Sequence, residues 1–302
     1  MQGQSPFGDS PLRLGRRSLP TLAGMRRFAA LLLLLPLVAG CSSSGSKKIV
    51  IQPAKMYRLA GFQPAGSITP GRATTVAFTV NQPSGSPLTA YRTGAGPHTG
   101  IHLIIVSDDL STIIHRHPPM QPGGRFRQQV VFPAPGRYRV IVDVYPKQQR
   151  PLPNFQLFND VQVRGVPRPQ PLGTYHAVQH TGGFTFTAPR RPNVRAIQAT
   201  LMTLHVTDAA GKPARFVPWY GALAHAIFFH VGTLDYFHTH VCAPGASGCT
   251  SLIAGARVTG RSSAPGKLTI GILLPTAGTW KLFLQSKPNG KLVTVPYVLK
   301  AR

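Results

Sequence analysis

The sequence predicts an all-β protein of two tandem antiparallel β-sandwiches, immunoglobulin-like or cupredoxin-like. Three observations lead there. Short apolar or alternating runs are separated by glycine and proline at intervals typical of sandwiches. The 30 prolines and 31 glycines among 302 residues work against long helices. Most informative is a histidine spacing that occurs twice. His102, His115 and His117 repeat as His225, His238 and His240, each set reading His, twelve residues, His, one residue, His.

Residues Met25 to Cys41 read MRRFAALLLLLPLVAGC, with Arg26 and Arg27 ahead of an apolar run from Phe28 to Val38. That run is short for a bilayer span and has the form of an export signal. The residues before Met25 hold Pro6, Pro11 and Pro20 and no apolar run, so Met25 is the expected start. The run ends in Val38-Ala39-Gly40-Cys41, which resembles a bacterial lipobox, and the resemblance implies lipidation of Cys41. Residues 1–40 are therefore expected to be a signal peptide and 41–48 a flexible lipidated tether. Residues 49–165 form the first sandwich and 166–302 the second, with the linker at Arg164–Pro171. A globular pair anchored by lipid on the extracytoplasmic side of a membrane is the expectation.

Within the first module Thr75–Val80 and Tyr138–Val142 alternate as strands do, and Trp280–Leu284 does so in the second. Three blocks align between the modules. Val80–Pro87 matches Val206–Pro213 at an offset of 126, the histidines match at 123, and Phe132–Val140 matches Leu274–Leu282 at 142. The jump from 123 to 142 marks an insertion in the second module that contains Cys242 and Cys249. These enclose Ala-Pro-Gly-Ala-Ser-Gly, a loop composition, and in an oxidising compartment they are expected to form a disulfide. The alternative is Cys242 as a thiolate ligand, because it shares a strand face with His238 and His240.

Each histidine triplet fits one hairpin. A two-residue turn at Asp108-Asp109 pairs position 102 with 115, and one at Val231-Gly232 pairs 225 with 238. His117 and His240, two positions further on, fall on the same face. That face otherwise carries Ile104, Val106 and Ile113 in the first module, and Ile227, Phe229, Leu234 and Tyr236 in the second. It is read as core-facing. Three imidazoles there, with no acid nearby, suit copper, or zinc as second choice. His98 or Met120 is a candidate fourth ligand. On this reading each module holds its own site and the chain takes about two ions. The bland alternative is that the histidines are structural struts in an envelope protein that presents two sandwiches to a protein partner. His176, His180, His205 and His230 have no duplicate and default to structural or surface roles.

The stretches from His102 to Leu110 and His115-Arg116-His117-Pro118, with Tyr220 to His225 and His238-Thr239-His240, resemble a motif of secreted bacterial proteins. That motif can be written Y-L-G-x-x-G-H-L, a D-L turn, then L-H-x-H-P. The resemblance implies immunoglobulin-like or cupredoxin-like domains associated with copper or heavy-metal handling. The second module departs from it at Ala224, where the motif has Gly, and at Val241, where it has Pro.

Charge points elsewhere than nucleic acid. There are 33 Lys and Arg against 7 acidic residues, all Asp, for a net +26. The basic residues are scattered and accompany no nucleic-acid motif. A surface whose charge rests on Arg and Lys suits an acidic surrounding, where carboxylates are neutralised. Histidines that bind metal there need strongly depressed pKa values. No G-x-S-x-G elbow, Rossmann or P-loop signature is present, and Asp108-Asp109 reads as a turn, so a non-enzymatic metal-binding role is the expectation. A copper redox enzyme is the enzymatic alternative. Metal ion and membrane are the expected partners, and no nucleic acid.

Overall fold

The computed structural model describes residues 56–93, 100–147, 154–253 and 255–302. The expected signal peptide and tether, Cys41 and His98 lie outside them. No α-helix occurs among the described residues, only a short 3-10 turn at Pro122–Gly124.

The first module contains β1 (Arg58–Gln63), β2 (Ala73–Asn81), β3 (Ile101–Ser107), β4 (Ile113–Arg116), β5 (Met120–Gln121), β6 (Arg125–Val131), β7 (Gly136–Val144) and β8 (Phe155–Val163). They form two antiparallel sheets, in the orders β1-β2-β6-β5 and β4-β3-β7-β8. The second module contains β9 (Val178–Thr181), β10 (Phe184–Thr187), β11 (Thr200–Asp208), β12 (Ala222–His230), β13 (Tyr236–Cys242), β14 (Thr250–Ile253), β15 (Ala256–Thr259), β16 (Arg261–Ala264), β17 (Lys267–Ile272), β18 (Gly278–Ser286) and β19 (Val293–Ala301). Its sheets are β16-β17-β11-β10-β9 and β13-β12-β18-β19. The inserted segment supplies the small β14-β15 pair. Each module is a sandwich, and both belong to one compact unit.

Strand periodicity explains the cores. In the first module Val76, Phe78 and Val80 meet Ile101, Leu103, Ile105, Val140 and Val142. In the second, Met202, Leu204 and Val206 meet Ala224, Phe228, Trp280, Leu282 and Leu284. All seven residues of β3 are buried, as are eight of the nine in β12. A strand with water on one face would alternate, so both faces of these strands are covered.

The second cover is the other module. Ile104, Val106, Leu110 and Ile141 form a third apolar cluster with Ile227, Phe229, Leu234 and Phe283. This corrects the expectation that the histidine-bearing face turns toward its own module's core. The opposite face does that. The histidine face is the junction between the modules.

The hairpin register also differs from the sequence reading by two residues. His115 lies opposite Ile104, and His238 opposite Ile227. His225 instead faces His240. The turns are longer than two residues. Ser107 closes on Thr112, and His230 closes on Asp235. Each loop holds a leucine at positive φ, Leu110 or Leu234, both at φ 58. That conformation is uncommon for leucine, and burial of each side chain in the junction holds it. Because strands have a period of two, a two-residue shift leaves every histidine on its expected face.

Candidate metal centre

The packing of the modules brings both triplets together, so there is one cluster rather than two. His102, His115, His225, His238 and His240 are buried and His117 is half-buried. Ring contacts run across the junction. His102 Nδ1 is 3.2 Å from His238 Nδ1, and the His115 and His225 ring centroids are 4.8 Å apart. Three triads have ring nitrogens mutually within 4.8 Å: His102–His115–His117, His102–His238–His240 and His115–His225–His238. Two of the three draw on both modules, and any two share a histidine.

The other nitrogens of several rings are committed. His225 Nε2 lies 2.9 Å from the Trp219 carbonyl, which only accepts, so this nitrogen carries the proton. Its Nδ1 is left as a lone pair, 3.3 Å from His238 Nε2. Gln285 Nε2 donates to Thr294, and Gln285 Oε1 accepts from His115 Nδ1 at 3.0 Å. His115 Nε2 is left facing His117 Nε2 at 2.9 Å. Tyr236 Oη lies 3.0 Å from His238 Nδ1 and 3.4 Å from Asp143 Oδ2.

A local turn positions the Trp219 carbonyl. Tyr220 and Gly221 both have positive φ, as the central residues of type I′ turns do, and Trp219 bonds Ala222 in both directions. The turn stacks the Tyr220 ring on His117, with centroids 4.0 Å apart and planes 10° from parallel. Trp219 packs edge-on against His115 and His225.

Burial governs protonation. Desolvation holds His115 and His238 well below the ordinary histidine value, and their histidine neighbours add to it. Gln285 works weakly the other way on His115. His117 is lowered for the same reason, and His225 is pushed down to about 3. These four histidines are therefore held as neutral imidazoles with lone pairs. Metal–nitrogen bonds of about 2.0–2.1 Å in a tetrahedral site put ligand nitrogens roughly 3.3 Å apart, close to the His225–His238 spacing. The residues fit an all-nitrogen metal site.

An acid does lie nearby, contrary to the sequence reading. Asp143 is fully buried, opposite His102 across β3 and β7, and its Oδ2 is 3.8 Å from His102 Nδ1. It accepts from Tyr145, Asn154 and Gln156. Asp143 and Gln285 were missed, although both lie just past the third repeated block at its offset of 142. A lone carboxylate inside an apolar strand is the signal that would have found Asp143.

Cys242 and Cys249 are disulfide-bonded, with Cα atoms 5.6 Å apart, so Cys242 is no thiolate ligand. Met120 is exposed on β5, in the sheet that does not carry the histidines. His180 bonds Thr185 and His230 bonds Thr233, each within its own module.

A family model described as a domain of unknown function, DUF8832, matches residues 59–168 and again 179–302. Comparison with curated proteins finds no match. Solved structures with detectable likeness include invasin, a bacterial integrin-binding protein, at 16% identity over 82% of this chain and 38% of that one, TM-score 0.22. MtrC from Shewanella baltica OS185 is 8% identical over 80% of this chain and 68% of its own, TM-score 0.23. A titin fragment, A168169, is 9% identical over 82% and 96%, TM-score 0.19.

Proposed function

The chain belongs to the DUF8832 family, and we propose that it is an extracytoplasmic, lipid-anchored protein that binds and handles a metal ion, copper ahead of zinc. One observation carries the metal reading: histidines of both modules, five of the six buried, place ring nitrogens in triads mutually within 4.8 Å. Because any two triads share a histidine, the arrangement favours one composite centre taking about one ion, not two independent sites.

Imidazole ligands suit several transition metals, and divalent copper stands ahead of zinc in intrinsic affinity for such sites. The disulfide suits an oxidising compartment and so supports export. The Val38–Cys41 lipobox likeness supports the anchor. The role is binding and handling, with no catalytic step assigned.

The strut reading has an observation of its own: nitrogen–nitrogen distances of 2.9–3.3 Å between rings also fit hydrogen bonds between imidazoles. Titration of the exported chain with Cu(I), Cu(II) and Zn(II), followed by metal analysis, separates the two. About one tightly held ion per chain, lost in the His115→Ala/His238→Ala double variant, supports metal binding. A folded chain that takes up none of the three makes the histidines struts.

A further inference from the structure

The two modules support each other's histidines, and they do so unequally. Asp143 lies opposite His102 on the neighbouring strand, and Gln285 lies opposite His225 in the same way. The two are repeat equivalents, at the offset of 142. Each reaches across the junction to the other module's middle histidine. Gln285 accepts from His115, and Asp143 meets Tyr236, which meets His238. One half of the cluster is thus backed by a carboxylate and the other by an amide.

The outer contacts distinguish the triads. With the Tyr236 hydroxyl donating to the buried Asp143 carboxylate at 3.4 Å, the phenol oxygen can accept from His238 Nδ1 at 3.0 Å, which fixes one tautomer of His238. His238 Nε2 is then a lone pair facing the His225 Nδ1 lone pair at 3.3 Å. Two lone pairs at that distance repel unless a cation lies between them. His115 has Nε2 free of its own proton because Nδ1 is bound to Gln285. Every member of the His115–His225–His238 triad therefore has an acceptor for its remaining N–H: Gln285, the Trp219 carbonyl, and Tyr236 with Asp143 behind it. Outer acceptors of this kind fix the tautomer and raise the basicity of a metal-binding histidine.

Resting on the metal-binding reading, we infer that the ion sits on His115, His225 and His238, and that Asp143, acting through Tyr236, is the positioning residue that fixes this seat. Asp143 Oδ2 also lies 3.8 Å from His102 Nδ1, so the carboxylate touches the cluster from the first module as well.

The test uses the full chain with Zn(II) as probe for affinity by chelator competition and Co(II) as probe for coordination by its visible absorption. Replacing His115, His225 or His238 with Ala is expected to abolish tight binding, and replacing His117 or His240 to weaken it less than about tenfold. Asp143→Asn and Tyr236→Phe are each expected to weaken Zn(II) by about 10–100-fold and to change the Co(II) spectrum. Should Asp143→Asn fail to fold, Tyr236→Phe removes only a hydroxyl and carries the same expectation. Gln285→Glu is expected to tighten binding by about tenfold, a gain that a purely structural role does not produce. Binding lost in His240→Ala but kept in His225→Ala overturns the seat. Wild-type affinity in both Asp143→Asn and Tyr236→Phe overturns the role of Asp143 while leaving metal binding intact. A wild-type chain that binds nothing removes both readings.

Discussion

Burial of the imidazoles at the junction makes protonation costly, and this sets a pH dependence with a definite sign. His225 has a folded pKa of about 3, against about 6.5 when unfolded. Between these values the unfolded chain binds more protons, so unfolding free energy rises with pH. The stabilising contribution is fully present above about pH 6.5 and is lost as the pH falls toward 3. His115 and His238 act in the same direction. Denaturant titrations of the metal-free protein should show stability falling from neutral pH into acid, and a flat profile contradicts the buried, neutral cluster. The same depression lets the rings keep their lone pairs in mild acid, the condition an acid-exposed metal site needs. A backbone contact supplies a second test. A Cβ on Gly260 would stand 2.5 Å from the His240 carbonyl oxygen. Gly260→Ala should therefore cost about 1–3 kcal/mol in thermal or chemical unfolding, and wild-type stability counts against this packing.

At the scale of strands, the histidine hairpins carry more than their histidines. β3 and β12 are sandwiched between their own cores and the partner module, and the Phe229 ring is fully buried on the junction face. Phe229→Ala should destabilise the chain by about 3–5 kcal/mol in denaturant unfolding, and a cost under 1 kcal/mol would mean the face is not packed. The Cys242–Cys249 loop lies outside the cluster, so replacing both cysteines with serine should leave metal uptake unchanged. Loss of uptake in that folded variant would restore sulfur as a ligand. Strand period and histidine spacing made the shared face legible without the structure. The exact register was not legible, because Asp108-Asp109 and Val231-Gly232 satisfy the composition of a two-residue turn. What lengthens those turns is the burial of Leu110 and Leu234, a tertiary effect that local composition does not carry.

At the scale of the molecule, the duplication has produced one histidine cluster whose two repeat-related halves differ at Asp143 and Gln285. The repeat and the all-β class could be read from the chain, since both rest on local pattern. That the two triplets converge could not be read, because an apolar strand face looks alike whether it meets its own sheet or another module. Asp143 escaped notice for a related reason: apart from Tyr145, two residues further on, its partners Asn154, Gln156 and Tyr236 come from β8, the residue before it and the other module. A shared centre has a consequence that separate sites lack. Changing the histidines of one module should abolish uptake by the whole chain, and the bound ion should stabilise both modules together, by about 4 kcal/mol at a thousandfold excess over Kd.

The most direct measurement is metal stoichiometry in the wild-type chain and in two double variants, His115→Ala/His117→Ala and His238→Ala/His240→Ala. A single shared centre gives about one ion per wild-type chain and none in either variant. Two ions in the wild type with one retained in each variant would mean independent sites, and no ion in any of the three would mean that the histidines only hold the modules together.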